Sequence, residues 1–275
     1  MKRFVYKRFG FIRPHVELAR SGQAQVVEIS NRWGAAVVEF EERFASLVGP
    51  GSCVAFASGR MALFSIMKAI ELEKGSEVLV IGFTCSAVID SVLKSGASVK
   101  FYDVDSANFG SNLESIQALV SDITKVIIVQ HSFGFPCDIR AISSFAKSKG
   151  IFLIEDCALT VGASVNDVKC GDFGDASFFS SDHSKPINTM VGGVAYSKNG
   201  YLISKIKMLQ EGALEMSDDQ LGRVINQAIF EAKWWHQRSS RRFFLESRIR
   251  QLFGLDGGFF SEHLTSEIPV ESFLM

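Results

Sequence analysis

The sequence has few features that would assign it to a membrane, to a nucleic acid or to an oxidising compartment. Its 29 basic and 30 acidic residues give a formal net charge of -1, so no overall field attracts nucleic acid or anionic lipid. No apolar run approaches membrane-spanning length, and no apolar stretch of the signal-peptide type follows the basic, aromatic N-terminus. We therefore predict a soluble cytoplasmic protein with no nucleic-acid partner and no membrane span.

Cysteine is also sparse, and its spacing excludes two further classes of protein. The five cysteines are odd in number and show no paired C-x-x-C spacing, which argues against a disulfide framework and against a zinc site built from cysteine pairs. We predict reduced thiols and no metal site. Because 47% of the 275 residues are hydrophobic, the chain can bury a large core, and disorder of the whole chain is excluded.

Helical and strand patterns alternate along the middle of the chain. An amphipathic helix is predicted from Trp33 to Val48, and Gly49, Pro50 and Gly51 then end it. Short apolar runs predict strands at Cys53–Ala57, Glu77–Ile81, Ser98–Tyr102, Lys125–Gln130, Ile151–Ile154 and Gly174–Phe179. Helices are predicted between them at Met61–Leu72, Ser86–Lys94 and Ile139–Lys149. Strands this apolar are covered on both faces, so we predict an α/β fold of three layers with a mainly parallel sheet.

Polar residues follow two of these strands, at the edge where such sheets bind ligands. Asp156 comes at the end of an apolar strand, where a carboxylate can bind a cationic ring nitrogen; capping of the next turn is the alternative. Lys185 lies in a polar turn, where an amine with a lowered pKa can attack an aldehyde; the alternative is a solvated surface lysine. Ser180, in the same turn, suits either a phosphate cradle or a turn cap.

A second anion site is indicated where a short strand leads into a helix. Ser58 and Gly59 precede this helix, so the amide groups of its first turn point outward and can bind an anion. The alternative is that Ser58 only caps the helix and Gly59 only eases the turn.

Five blocks of sequence, in this order and spacing, resemble the DegT/StrS family of sugar aminotransferases that depend on pyridoxal 5'-phosphate (PLP). The blocks are SGRMAL at 58–63, FTCSAVIDSVLKSGASVKFYDVD at 83–105, HSFGFPCDI at 131–139, IEDCALTVGA at 154–163 and GDFGDASFFSSDHSKPINTMVGG at 171–193. The resemblance spans Val38–Asn199. It implies the large domain of the aspartate-aminotransferase type, in agreement with the alternation of helices and strands.

The resemblance assigns roles to individual residues. Lys185 would form the Schiff base with PLP and move the substrate's proton, while Asp156 would keep the pyridine nitrogen protonated. Ser180 matches the family's phosphate-binding serine. His131 begins a block similar to the family's H-x-x-G-x-P turn, where it would shape the pocket; a buried, hydrogen-bonded histidine is the alternative.

Other positions of the cofactor site follow from the same resemblance. The amides of Arg60 and Met61, after Gly59, match the family's phosphate-binding helix start. Cys85 stands where many members place an aromatic ring against the cofactor, so stacking would be thinner. Leu159 stands where the family usually has a Gln or His near the cofactor's phenolic oxygen, so one polar contact would be missing.

We divide the chain into an N-terminal arm at 1–30, a PLP-binding large domain at 31–215 and a helical C-terminal segment at 216–275. The family normally continues into a second, smaller α/β domain, and the third segment is interpreted as its remnant. Segment 233–253 mixes arginines with aromatics and is interpreted as an amphipathic helix with its Trp and Phe side chains in the core; contact with a nucleotide, a membrane surface or a partner helix is the alternative. Asn226 is a poor match for the asparagine that in the family reaches the partner subunit's phosphate.

The resemblance implies a PLP-dependent aminotransferase. It would use an amino-acid donor, glutamate by analogy, to aminate a nucleotide-linked keto sugar for surface polysaccharide or secondary metabolites, as a homodimer. A sugar dehydratase is disfavoured because histidine replaces the lysine in that branch, whereas Lys185 is present. The alternative from another class is a shortened, non-catalytic relative that acts as a partner subunit or scaffold. A nucleotide-binding module would need a G-x-G-x-x-G or P-loop sequence, which is lacking.

Overall fold

A computed structural model describes residues 33–182, 185–187, 189, 191–213, 222, 226, 230 and 241–252. Its helices are α1 (Trp33–Val48), α2 (Gly59–Ala69), α3 (Ser86–Ser95), α4 (Leu113–Leu119), α5 (Ile139–Lys149), α6 (Gly200–Glu211) and α7 (Arg241–Leu252). Its strands are β1 (Ser52–Phe56), β2 (Glu77–Ile81), β3 (Ser98–Tyr102), β4 (Thr124–Gln130), β5 (Phe152–Asp156), β6 (Ser164–Val165), β7 (Val168–Lys169), β8 (Ala176–Ser180) and β9 (Gly193–Ser197).

Seven of these strands form one sheet in the order β1-β9-β8-β5-β4-β2-β3. The pairs from β8 to β3 are parallel, and β9 runs antiparallel to both of its neighbours, β1 and β8. The short strands β6 and β7 form a separate antiparallel pair. The mainly parallel sheet predicted from the apolar strands is therefore confirmed, and β1, β2, β4, β5 and β8 all end at the same edge.

The core lies on both faces of this sheet, as the composition of its central strands dictates. Val78 and Val80 of β2 pack in one cluster with Leu63 of α2, whereas Leu79 and Ile81 belong to the cluster on the opposite face, together with side chains of α5. These four apolar side chains of β2 are fully buried. The burial of each one contributes roughly 1.5–3 kcal/mol to the stability of the fold. Because successive residues of a strand point to opposite faces, this distribution confirms the three layers.

Two strands end later in the structure than the sequence predicted, at residues that matter for the site. The predicted strand Ile151–Ile154 is β5, which continues to Asp156, and the predicted strand Gly174–Phe179 is β8, which continues to Ser180. Asp156 pairs with both β4 and β8, and Ser180 pairs with β9. Sheet pairing extends these strands past their apolar residues, so both polar residues are held by the ladder rather than by a turn.

Other differences concern short or peripheral elements. Helix α4 and the β6–β7 pair were not predicted, and helix α6 ends at Glu211. In α7, Phe244 is 61% exposed, so the expectation that the aromatic residues of segment 233–253 face the core is wrong at this position. The two tryptophans of that segment and the arm at 1–30 lie outside the described residues, and the domain boundaries stay predictions. None of the described helices is long and apolar enough to cross a membrane.

Candidate active site

Three neighbouring parallel strands bring polar residues to one edge of the sheet. β5 ends at Asp156, β8 ends at Ser180, and His131 directly follows the end of β4. In register, Asp156 lies opposite Gln130 of β4 and Phe178 of β8. Adjacent strands are about 4.8 Å apart, so the topology alone gathers these residues from distant parts of the sequence.

Asp156 is a buried carboxylate that the protein partners sparingly. The residue is 7% exposed, and among the described residues its carboxylate receives one hydrogen bond, from the Ala158 amide to Oδ1 at 3.0 Å. Burial raises the pKa of Asp156, while the Ala158 amide and the positive charge of Lys185 act in the opposite direction.

The turn that carries Lys185 leaves the sheet directly after Ser180. The Ser180 hydroxyl donates to Asp182 Oδ2 at 3.3 Å, and the Lys185 amide donates to the Asp182 carbonyl at 3.0 Å. His183 and Ser184, which precede Lys185 in the sequence, lie outside the described residues.

The start of helix α2 packs directly against the end of β8. A Cβ atom at Gly59 would lie 3.0 Å from Ser180 Cβ, and one at Gly193 would lie 2.2 Å from the carbonyl carbon of Ser58. Only glycine permits this close approach of the backbones. Ser58 caps the helix by accepting the Met61 amide at Oγ, at 3.2 Å. The first turn of a helix, which attracts anions, therefore lies beside the Ser180 hydroxyl.

Cys85 and Leu159 lie at the same edge of the sheet. Cys85 is exposed and precedes helix α3 as its N-cap residue. Leu159 is 38% exposed and follows β5 by three residues. Both side chains are open to solvent beside the strand ends, and their contact with a cofactor stays a prediction.

Sequence reasoning missed Glu155, which occupies the other face of β5 directly before Asp156. Its side chain is completely buried and accepts hydrogen bonds from His131 Nε2 at 3.0 Å and from the amides of Gly171, Phe173 and Gly174 at 2.7–2.9 Å. A charged residue inside an otherwise apolar strand was the available signal, because a buried carboxylate requires donors. The alternative interpretation of His131, a buried and hydrogen-bonded histidine, describes its observed state.

His131, Glu155 and Cys157 also form a group of possible metal ligands, because their ligand atoms lie within 4.8 Å of one another. Glu155 is already occupied by four donors, and His131 Nδ1 accepts the Cys137 amide at 3.2 Å. Burial raises the pKa of the Cys157 thiol, which opposes the thiolate form that a metal requires. Hydrogen bonding alone accounts for the positions of the histidine and the carboxylate in this group.

The fold and the arrangement of residues define a class. A mainly parallel sheet covered by helices, with a buried aspartate and a helix start at one edge, is the architecture of the large domain of PLP-dependent transferases of the aspartate-aminotransferase type. Residues 19–228 match the DegT/DnrJ/EryC1/StrS aminotransferase family. The chain belongs to this family, which confirms the resemblance found in the five sequence blocks.

Known proteins similar to this chain include nucleotide-sugar enzymes. It is 31% identical over 182 residues to GDP-perosamine synthase of Vibrio cholerae and 36% identical over 171 residues to the UDP-N-acetyl-3-dehydro-α-D-glucosamine 3-aminotransferase of Acidithiobacillus ferrooxidans, which covers 66% and 62% of this chain. The structure of GDP-4-keto-6-deoxy-D-mannose-3-dehydratase from E. coli, with bound hydrated PLP, superposes with a TM-score of 0.62 at 27% identity over 67% of this chain. The chain spans about half the length of these relatives, 49%, 46% and 52%.

Proposed function

We propose that this chain binds PLP at the carboxyl edge of its sheet, with Lys185 joined to the cofactor's aldehyde. In this proposal Asp156 holds the ring nitrogen, and Ser180 with the first-turn amides of α2 holds the phosphate. The observation that carries the proposal is the buried Asp156 carboxylate, which receives one hydrogen bond among the described residues and lies at the end of β5, next to β8 in the sheet.

The chemistry of these residues suits the cofactor. A protonated pyridine nitrogen would supply the positive charge that offsets the cost of burying Asp156. The dianionic phosphate would meet the positive end of α2 and the hydroxyl of Ser180, which lies against Gly59. Cys85 and Leu159 would flank the ring without adding a charge.

When bound, PLP withdraws electrons from the substrate carbon that loses a proton. The chain's own residues have simpler tasks. Asp156 would keep a proton on the ring nitrogen, and the Lys185 amine, while it is not joined to the aldehyde, would accept and return the substrate's proton. Burial of Asp156 excludes water from the contact with the ring, which strengthens the charge interaction.

For the substrates, we propose a nucleotide-linked keto sugar and an amino-acid donor, with glutamate as the first donor to test. The names of the sugar aminotransferases that resemble this chain support the nucleotide-sugar class. The products would enter surface polysaccharides or secondary metabolites. We also propose a homodimer, because the fold completes its active site across a two-fold interface in the family that the sequence resembles.

The test is the absorption spectrum of the purified protein with added PLP, compared with those of Lys185→Ala and of a matched variant, Lys125→Ala. Lys125 lies at the opposite end of β4 and donates to the Asp122 carbonyl. We expect a visible band in the wild type and in Lys125→Ala, its loss in Lys185→Ala, and PLP trapped on Lys185 after borohydride reduction and peptide mapping. A folded wild type without a band at saturating PLP would refute the proposal and favour a non-catalytic relative that acts as a partner subunit or scaffold.

A further inference from the structure

Glu155 is the most heavily hydrogen-bonded carboxylate of the described chain. Oε2 accepts from His131 Nε2 and from the Gly171 amide, while Oε1 accepts from the amides of Phe173 and Gly174. The side chain thus ties three segments together: the end of β5, the turn after β4, and the backbone that leads into β8. Asp156, at the end of β5, belongs to the proposed cofactor site, and β8 carries Ser180 at its far end.

His131 links Glu155 to the backbone of Asp156. Its backbone amide donates to the Asp156 carbonyl at 3.3 Å, and its own carbonyl accepts the Thr160 hydroxyl at 3.0 Å. Its Nδ1 accepts the Cys137 amide, which leaves Nε2 as the nitrogen that donates to Glu155. Every polar atom of His131 therefore has a partner, and the ring can neither rotate nor change tautomer without breaking one of them.

We propose that the Glu155–His131 pair is a positioning unit for Asp156. The pair fixes the end of β5 so that the Asp156 carboxylate meets the cofactor's ring nitrogen at the correct distance and angle. The inference rests on the proposed function. It assigns a positioning role to Glu155, although the Glu155 side chain points into the opposite face of the sheet and does not touch the ligand.

The physical reason lies in the precision that a charged contact requires. A displacement of about 1 Å can cost on the order of 100-fold in a reaction that depends on alignment. Within the described residues, one hydrogen bond holds the Asp156 carboxylate itself, from Ala158. Its orientation consequently depends on the backbone of β5, and the Glu155–His131 pair holds that backbone from behind.

Glu155→Gln breaks the pair without changing its shape. If the amide oxygen takes the place of Oε1, the NH2 group faces two donors, His131 Nε2–H and Gly171 N–H; if the side chain turns over, it faces the amides of Phe173 and Gly174 instead. Neither orientation satisfies all four donors, whereas Glu155→Asp keeps two acceptor oxygens and the charge but sets them back by one methylene. Glutamine therefore breaks the pair, and aspartate partly preserves it.

The experiment measures the dissociation constant for PLP and the wavelength of its visible band when bound, which reports the charge around the ring. The variants are Glu155→Gln, Glu155→Asp and a matched control, Asp175→Asn. Asp175 makes the same kind of contact at the other end of β5, where Oδ2 accepts the Leu153 amide at 2.8 Å. We expect Glu155→Gln to weaken PLP binding about tenfold, the loss of one good hydrogen bond, and to shift the band. Glu155→Asp should restore at least part of the affinity, and Asp175→Asn should match the wild type.

The possible results separate this inference from the proposed function. Wild-type affinity and wavelength in folded Glu155→Gln would overturn the positioning role while leaving the cofactor site intact. Equal weakening in Asp175→Asn would also overturn it, because the effect would then follow from general loosening of β5. A wild type that does not bind PLP would overturn both proposals. If Glu155→Gln does not fold, Thr160→Val decides: it removes only the hydroxyl that holds the His131 carbonyl, and an unchanged PLP affinity would refute the inference.

Discussion

The interior around Glu155 and the sheet edge around Asp156 begin at adjacent residues of one strand, and the two carboxylates have opposite surroundings. Both side chains are buried, at 0% and 7% exposure. Glu155 receives four hydrogen bonds, whereas Asp156 receives one among the described residues. A carboxylate that accepts four hydrogen bonds stabilises the fold, whereas a buried carboxylate that accepts one can still bind a ligand.

The difference between the two carboxylates also explains why the proposed site lies on one side of β5. Burying a charge is costly unless donors or an opposite charge accompany it. On the Glu155 side, His131 and the backbone amides at 171–174 supply the donors. The buried charge is therefore stabilised in the protein without any ligand. On the Asp156 side, burial raises the pKa of the carboxyl. The charged carboxylate therefore lowers the stability of the folded protein until a cation binds beside it.

The largest effects should come from exchanging a carboxylate for an amide on either side of β5. For Glu155→Gln we expect a loss of about 3 kcal/mol in the free energy of unfolding of the apo-protein, because buried donors lose their charged acceptor. Urea unfolding measures this loss. Asp175→Asn, the same chemical change at the other end of β5, should lose less than half as much, and equal losses would show that Glu155 is not special.

Asp156→Asn should have the opposite sign. Its charged form is disfavoured in the folded apo-protein, so the amide should raise the apo-protein's free energy of unfolding at neutral pH while weakening PLP binding on the order of 100-fold, the cost of removing one partner of a buried charge pair. Differential unfolding and PLP titration test the two halves. A destabilised apo-protein would contradict the comparison.

The pH dependence of that gain follows from the direction of the pKa shift. Because the pKa of Asp156 is raised in the folded state, the folded protein binds the proton more tightly than the unfolded chain does. The wild type should therefore become more stable relative to Asp156→Asn as the pH falls through the folded pKa, and the gain of the variant should shrink. The difference between their unfolding free energies, followed from pH 7 downward, measures this effect; a growing difference would reverse the assigned direction.

Ser180→Ala tests the pocket at a neutral residue. Losing one hydroxyl contact with a charged phosphate should weaken PLP binding about tenfold, while the apo-protein changes by less than about 0.5 kcal/mol. Pyridoxal without its phosphate is the control ligand. Its affinity should be the same for the wild type and the variant, and an equal loss for both ligands would place Ser180 away from the phosphate.

The sequence predicted the frame of this site well because the frame follows from local rules. The helix Trp33–Val48 and the strands Glu77–Ile81 and Ser98–Tyr102 lie where they were expected, since apolar periodicity and glycine breaks mark their limits. Asp156 and Ser180 were placed at the edge of the sheet where β5 and β8 end, because parallel strands end together.

What the sequence could not show depends on contacts between distant residues. Glu155 reaches residues 16 to 24 positions away, and nothing local announces such partners. Helix α4 has seven residues, too few for a periodic pattern to stand out, although Asn112 caps it by accepting the Ser115 amide. The strand ends at Asp156 and Ser180 were missed because sheet pairing, rather than hydrophobicity, extends them.

The cysteines provide the mildest test of the two sides of β5. Cys85 is exposed at the pocket edge, whereas Cys157 is buried with its thiol pKa raised, as is Cys53 on β1. Because thiolate and access both govern reactivity, a thiol reagent should label Cys85 first in native protein, and Cys85→Ser should abolish this fast phase. If Cys85 flanks the bound ring, saturating PLP should slow its labelling about tenfold, the protection expected when roughly nine-tenths of the sites are occupied. Fast labelling of Cys157 would show that the interior beside Glu155 opens readily, and unchanged labelling of Cys85 with PLP bound would place the ring elsewhere.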